Sequence, residues 1–432
     1  MQDHHDTVDV VVIGGGTAGV IAALQAARAG ARTAIVEMAG QLGGTMTTGG
    51  VSAPAYFFSS DQQIVAGIGW ELVKATKALD HTPWPDFASP SRTRPSSHVH
   101  VNPAVYALIA EEACLDAGVD LHFHEILVGI EPQEEGWRVR TVGKGIRRRI
   151  DAREVIDATG DADVVGLLDL PRERGEVRQP GTLMFRLGGY DAAELDVEVV
   201  QERFEAAMRD GRLQPGDFWR AEDDLFITFL RGGGANQQHI FGADATTAVT
   251  QTRANIEGRR ALLRLLRFVQ SLPGCADATV EQLFTQAAVR ETYRIVGETK
   301  VTYDDYIAGR CFDDAICYSL YFIDVHTEHG VEHEFVPPGR VPTVPLGALV
   351  PRGSRRLLVA GRAVAGDRLA NSALRVEASC MAMGQAAGAA ATLGVRLGIP
   401  SRDVPIEAIR VLLREHNAIV PPDLEESEAR SQ

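Results

Sequence analysis

An α/β fold is predicted for this chain: a domain built on a parallel sheet, split in sequence by an inserted α+β domain. Three observations predict it. A β-branched run from Val8 to Ile13 leads through a glycine cluster into an Ala-rich segment and a second apolar run, Arg32 to Glu37. That is one βαβ unit of about 30 residues. The same vocabulary returns far downstream, in the buried-strand run LLVAG at 357–361 and a long small-residue helix from Val376 to Leu393. Between them, from Leu183 to Phe335, strands and helices mix with no further βαβ unit. The expected boundaries are 1–182 and 339–424 for the split domain, 183–338 for the insert, and 425–432 for a polar tail.

In order along the chain, VIAALQAARAGA reads as a helix that stops at Gly30, and residues 40–50, GQLGGTMTTGG, as a Gly/Thr loop. Thr82 to Pro95 is rich in Pro and Ser and reads as an irregular connection. A helix near Pro103–Ala117 precedes VDLHFHEILVGIE, which reads as a single strand. Trp137–Val142 and Ile146–Ile150, joined by Gly143-Lys144-Gly145, form a hairpin, and VIDATGDAD at 155–163 ends a strand in a tight glycine turn. LFITFL reads as a strand turning at Arg231-Gly232-Gly233-Gly234, with neither a third spaced glycine nor an Ala-rich helix after it. No internal repeat is visible.

Composition bounds the function. The chain has 432 residues, 45% hydrophobic, 23% charged and 6% aromatic, which excludes disorder and coiled coil. Lys+Arg 43 against Asp+Glu 58 gives a net charge of −15, which argues against nucleic acid or an anionic membrane as a partner. A site for an anionic ligand has to be built from local basic groups. Cys114, Cys275, Cys311, Cys317 and Cys380 are odd in number and contain no C-x-x-C, so a reducing compartment is expected rather than a disulfide framework, structural zinc or an iron–sulfur cluster. No stretch reaches about 18 uninterrupted apolar residues, and MQDHHDTVDV lacks a basic leader region. The expectation is a cytoplasmic protein without a membrane span, its oligomeric state left open.

The glycine cluster carries the first chemistry. Gly14, Gly16 and Gly19 stand in G-x-G-x-x-G, with Ala23 and Gly30 at later small-residue positions and Glu37 eighteen residues past Gly19. Between a strand and a helix these glycines let the backbone turn and approach a pyrophosphate, whose charge faces the helix N-terminus. The acid closing the second strand accepts from a ribose hydroxyl and repels a 2′-phosphate. This Rossmann-like fingerprint occurs once.

With these motifs the chain resembles the FAD-dependent oxidoreductases of the glutathione-reductase-type FAD fold, and most closely the broad family related to fumarate reductase flavoproteins. The resemblance runs from about Val8 to Leu397 and rests on VVIGGGTAGVIAA, GQLGGTMTTGGVS, VIDATGDADVVG and LLVAGRAV with ALRVEASCMAMGQAAGAAA. QPGTLMFRLGG and YFIDVH are weaker matches. It implies FAD as cofactor and assigns residues to it. Gly14, Gly16, Thr17, Ala18 and Gly19 would cradle the pyrophosphate and Glu37 the adenosine ribose, with Ile13 and Met38 counted beside them. Gly43, Gly44, Thr45 and Met46 would run along the flavin, and Leu127 would offer its backbone to the adenine. Ala158, Thr159 and Gly160 form the family's A-T-G turn, while Gly361 and Arg362 would lie beside the ribityl chain. The helix after Leu374 and Arg375 would aim its positive end at the flavin N1/O2 edge, with Gly384, Ala387 and Gly388 letting it lie close to the sheet.

Two departures narrow the activity. Flavoprotein disulfide reductases carry redox cysteines where this chain has Met46 and Val51. Relatives with covalent flavin carry a histidine in the loop, and Gln41 to Ser52 has none, so non-covalent FAD is expected.

The remaining polar motifs are weighed against plain structural roles. His98/His100 and His122/His124 are H-x-H pairs in strand-like contexts, each with both rings on one face, yet no partner stands at a metal-ligand spacing, so no metal is assigned. Arg147-Arg148-Arg149 reads as an exposed strand edge and Cys380 as a packing residue. In YFIDVH, Asp324 and His326 are two apart, so an extended strand points both the same way and lets the acid orient an imidazole base with a pKa near the working pH. Arg290 is the candidate for a substrate carboxylate or enolate-like oxygen; the plainer alternative is an Asp324–Arg290 ion pair.

The expected function is hydride transfer between a small organic substrate and flavin N5, in either direction, with Asp324, His326 and Arg290 as catalytic residues. Two alternatives stay open: a flavin monooxygenase, and a non-catalytic binding protein that keeps the fold as a scaffold.

Overall fold

β1 (Gln2–Ile13), α1 (Thr17–Arg28) and β2 (Thr33–Glu37) form the first βαβ unit of a computed structural model that describes residues 1–59, 62–87, 98–219, 225–234 and 236–422. A small hairpin, β3 (Phe58–Ser59) and β4 (Gln62–Gln63), precedes α2 (Ile68–Asp80) and α3 (Pro103–Asp116). β5 (Asp120–Phe123), β6 (Glu125–Gln133), β7 (Gly136–Gly143) and β8 (Ile146–Asp157) follow, then α4 (Asp163–Leu167) and β9 (Arg172–Glu173). The inserted region holds β10 (Phe185–Gly188), α5 (Val197–Arg209), α6 (Phe226–Gly232), α7 (Ala248–Gln270) and β11 (Thr279–Leu283). After it come β12 (Arg294–Ile295), α8 (Tyr303–Ala308), β13 (Ala315–Tyr318), the hairpin β14 (Ile323–Thr327) and β15 (Gly330–Glu334), and β16 (Thr343–Pro345). β17 (Leu357–Val359), α9 (Arg368–Leu374), α10 (Glu377–Leu397) and α11 (Ile406–Glu415) complete the order.

The main sheet runs β5-β2-β1-β8-β7-β6. β5, β2, β1 and β8 are parallel, β17 adds to the end of β8 at Val155–Asp157, and β7 and β6 continue antiparallel. β1 starts at Gln2, six residues before the apolar run, because Gln2 to Val8 find backbone partners in Ile146 to Ala152. Pairing, not hydropathy, extends it. For the same reason Ile146–Ile150 and Val155–Asp157 are one strand rather than two.

Four expectations are corrected. The single strand at 119–131 is broken at His124, whose φ of 59° is left-handed, so His122 and His124 do not share a strand face. LFITFL is not a strand but the body of α6, buried through Phe226, Ile227, Phe229 and Leu230. Arg147 to Arg149 do not form a sheet edge, since β8 lies between β1 and β7; the Arg148 guanidinium is taken inward by Asp6 and Glu125. Finally, Gly384 and Gly388 bring α10 against α1, while the helix meets the sheet elsewhere, at β8, β1 and β17. A Cβ at Gly384 would run into the Ala18 carbonyl and one at Gly388 into the Ala22 carbonyl, so side chains there would overpack the contact at a cost of about 1–3 kcal/mol.

Buried apolar side chains of Leu183, Phe185, Phe204, Phe226, Phe268 and Val289 belong to two cores of the insert's own. From Ile295 onward, including Tyr306, Ile323 and Val325, they join the main core with β1, α1 and α10. Among the described residues no helix is long and apolar enough to cross a membrane. Thr82–Pro95 lies partly, and the tail at 425–432 wholly, outside the described residues.

Candidate functional site

Two glycine loops meet at the end of β1. Gly14 turns with φ +99°, and a Cβ on it would lie 2.5 Å from the Ala158 carbonyl oxygen; a Cβ on Gly19 would strike the Gly14 carbonyl. The second loop is fastened to the first by the Gly43 N–H on the Gly15 carbonyl (2.8 Å) and by a bridge between Gly16 and Gly43. A Cβ on Gly16, by contrast, meets nothing closer than Gly44 Cα at 3.9 Å. No side chain caps α1 at Gly16. Its first turn, with Thr17 and Ala18, therefore offers backbone N–H groups and a positive helix end next to open room, which is what a pyrophosphate needs.

Glu37 ends β2 and is buried. Its carboxylate accepts from the Gly15 N–H (2.7 Å) and the Ala39 N–H (2.6 Å), and burial raises its pKa above the ordinary carboxylate value. It fastens the loop to the end of β2. Ile13 is paired with Val36 and Asp157, Met46 is buried under the second loop, which also holds Gly44 and Thr45, and Met38 next to Glu37 is 65% exposed. Leu127 lies in β6, opposite Thr141.

The A-T-G turn hangs on a residue that sequence reasoning passed over. Asp157, fully buried, accepts from the Thr159 N–H and hydroxyl (3.1 and 2.7 Å) and from the N–H groups of Val164 and Val165. It therefore holds the Ala158-Thr159-Gly160 turn and the start of α4 together. Arg362 then ties the turn to the insert: it donates to the Gly160 carbonyl (2.8 Å), to Asp161 (2.6 Å) and to the Val289 carbonyl (2.6 Å). Gly361, with φ +93°, sets Arg362 beyond β17.

These features fit FAD: an open phosphate approach at Gly16, uncapped N–H groups at α1, a buried acid at Glu37, and an α10 N-terminus at Val376 that no side chain caps.

The other side of the site is made by side chains brought from afar. Asp324 and His326 do face the same way on β14, with His326 Nε2 3.4 Å from Asp324 Oδ2. The Asp324 carboxylate also receives Arg375 (3.0 Å) and His333 Nε2 (3.2 Å), and these partners hold its pKa well below the ordinary value against its burial. Arg375, expected at the cofactor, is thus the cation of Asp324, and the Asp324–Arg290 pair is not formed. Arg290 is buried and donates instead to the Pro180 carbonyl (2.6 Å) and Asn236 Oδ1 (3.2 Å). Burial, reinforced by Arg375, pushes it down to about 9.

His326 is not poised near neutrality. Burial and the Arg290 charge push it down to about 4, and its Nδ1 shares a 2.9 Å hydrogen bond with His239 Nε2. Sequence reasoning missed His239 because the two lie 87 positions apart. It also missed Gln179, whose side-chain oxygen accepts from the His326 N–H (3.0 Å) and from Arg375 (3.4 Å). His98 lies near this group, edge-on to Tyr56, with its Nε2 buried and without a partner. Leu374, buried, closes α9 beside Arg375, and the Cys380 thiol is buried against the Arg375 carbonyl.

A family profile described as FAD dependent oxidoreductase matches residues 9–413 of the chain. No curated protein matches it. Among solved structures, it is similar to a geranylgeranyl bacteriochlorophyll reductase-like protein of Thermoplasma acidophilum, at 13% identity and a TM-score of 0.45, over 94% of this chain and 82% of that one. A p-nitrophenol 4-monooxygenase of Pseudomonas putida DLL-E4 is similar at 12% identity and 0.46, over 95% and 85%. A myxobacterial chondrochloren halogenase is similar at 13% and 0.41, over 94% and 77%.

Proposed function

This chain belongs to the FAD dependent oxidoreductase family, with FAD as its cofactor, and from that premise we propose that it oxidises a small anionic organic molecule. Bound FAD supplies the two-electron acceptor. The rest is done by the side chains. Arg290 carries this reading, because it is a buried guanidinium whose hydrogen-bond partners are neutral oxygens, with no carboxylate paired to it among the described residues. An uncompensated buried charge is costly, and a substrate carboxylate or oxyanion beside it offsets that cost.

His326 takes the substrate proton at Nε2. The 3.4 Å to Asp324 is longer than a well-made N–H···O bond, which suits a tautomer with the proton on Nδ1, donated to His239, and a free lone pair at Nε2. Once protonated, the imidazolium is paired with Asp324. Arg375 and His333 keep that carboxylate charged throughout. The Arg290 charge and burial make His326 a weak base in the free protein, so binding of an anion at Arg290 raises its proton affinity when it is needed.

His326→Gln retains FAD and slows substrate-driven flavin bleaching, followed anaerobically against a metabolite panel, by about 100-fold. Bleaching at the wild-type rate removes His326 from the reaction. Rapid mixing of the reduced enzyme with oxygen tests the direction of the chemistry. A transient absorbing species that oxygenates the substrate before reoxidation would replace hydride transfer with monooxygenation.

A further inference from the structure

Among the described residues, two helices expose more than one large apolar side chain, α3 and α7. α7 already buries one face in the insert's own core through Leu262, Leu265, Phe268 and Val269. On its opposite side Val249 (71% exposed), Ile256 (41%) and Leu263 (45%) stand seven residues apart. Seven residues are two helical turns, so the three form one row with a repeat of about 10.5 Å. Single exposed apolar side chains are ordinary on a protein surface, whereas a periodic row marks a face that meets a partner. On α3, Leu108 (64%) and Leu115 (57%) repeat the same spacing, while Tyr106, Ala110 and Cys114 of that helix belong to the main core.

The charges beside the two rows are opposite. α7 carries five arginines against one acid, Glu257, in a chain whose net charge is −15. Arg253, Arg260 and Arg267 each stand four residues past a member of the row, so they line it along its length. Arg260 reaches Glu257 (3.6 Å) and Arg264 is held by Asp217 (2.6 Å). Arg253, Arg259 and Arg267 are exposed and have no ion pair among the described residues. α3 is the converse. It has no basic residue, Glu111 and Glu112 lie between its two leucines, and Asp116 follows them. None of the three acids has an ion pair among the described residues.

We propose that α3 of one copy of this chain packs along α7 of a second copy, and α7 of the first along α3 of the second, closing a two-fold dimer. The repeats match, and α3, about 21 Å long at 14 residues, fits along α7, about 34 Å at 23 residues. Pairing α7 with α7, or α3 with α3, would set like charges together. An anionic lipid surface would satisfy the arginines of α7 but repel the acids of α3; a second copy satisfies both. A stable interface buries about 800 Å² per partner, more than one short helix pair supplies, and the two-fold axis makes the contact twice. This inference is independent of the chemistry proposed above.

Sedimentation velocity of the FAD-loaded protein across a dilution series reads the dimer directly. Arg253→Glu/Arg267→Glu should raise the dimer Kd by about 100-fold or more, and Glu112→Arg/Asp116→Arg should do the same, because each sets like charges across the contact. All four positions are exposed, so both variants should keep the wild-type melting temperature and FAD content. An equal mixture of the two variants should recover the dimer to within about tenfold of the wild-type Kd, since each then faces the opposite charge on the other. Recovery in the mixture supports the pairing of α3 with α7. A mixture that stays monomeric overturns it, as does a dimer that neither variant weakens. A wild type that is monomeric throughout also overturns it, whether or not the protein sediments with vesicles of phosphatidylcholine and phosphatidylserine.

Discussion

The proposed cofactor cradle and the proposed substrate face of this molecule are built from different materials. The cradle is made of backbone: Gly14, Gly16, Gly19, Gly43 and Gly44 bring main-chain atoms together, and the buried carboxylates Glu37 and Asp157 hold N–H groups in place. The substrate face is made of side chains from four separate segments, joined as Gln179–Arg375–Asp324–His326–His239. A backbone site demands particular small residues at fixed short spacings, so it leaves a pattern in the sequence. A side-chain site demands only that the fold bring suitable groups together, and any spacing serves. Under the proposed function the cradle would fix where the cofactor lies, and the side-chain face would define what is done with it.

The sharpest way to break this contrast is Gly16→Val. The structure leaves room at that Cβ, with Gly44 Cα 3.9 Å away, so the variant should fold with a melting temperature near wild type yet lose FAD completely, as read from absorbance after gel filtration. Stoichiometric FAD in that variant would mean the open room at Gly16 is not where the pyrophosphate lies. Next in size is Arg290→Gln, which leaves the cradle untouched. It should keep FAD and lower kcat/KM for an anionic substrate by about 10- to 100-fold, the usual worth of a hydrogen bond to a charged group; an unchanged value would remove Arg290 from the substrate face.

The smallest effect is on stability against pH. In the fold His326 and His98 titrate at about 4, below the 6.5 of an ordinary imidazole. The unfolded chain therefore binds more protons between those values, and stability falls as pH drops from 6.5 towards 4. His239, pushed lower still by burial, adds to the same fall; His326→Gln removes one of these contributions and should make the fall shallower, measured by denaturant midpoints across that range. An identical slope would show that His326 is not held neutral by its surroundings.

The same contrast explains what the sequence made legible. The βαβ unit, the loop at 40–50, the A-T-G turn and the long final helix were all readable because each is a local pattern with a local cause. Asp324 and His326 were readable as neighbours because strand geometry puts residues two apart on one face. Their partners were not. Nothing near His239 marks it, Gln179 only opens the weak match QPGTLMFRLGG with no role attached, and Arg375 carried a family role that hid its ion pair with Asp324. The errors of fold have the same origin. Polar Gln2–Thr7 became strand through pairing with β8, and apolar Phe226–Leu230 became helix by packing against Phe204 and Phe218. In both, a tertiary partner outweighed the local composition.

Arg362 has a consequence for exchanging parts between such proteins. Of its three acceptors, two belong to the cofactor turn, at Gly160 and Asp161, and the third is the main-chain oxygen of Val289 in the insert. A carbonyl is indifferent to the side chain it carries, so this contact places almost no demand on the residue at position 289. At that point a foreign insert has to deliver an outward-facing carbonyl, and beside it a hydroxyl such as that of Thr292, which donates to Asp161 (2.6 Å). That contact is generic on the insert's side and specific on the other, which leaves position 289 free to change without loosening the hold of Arg362.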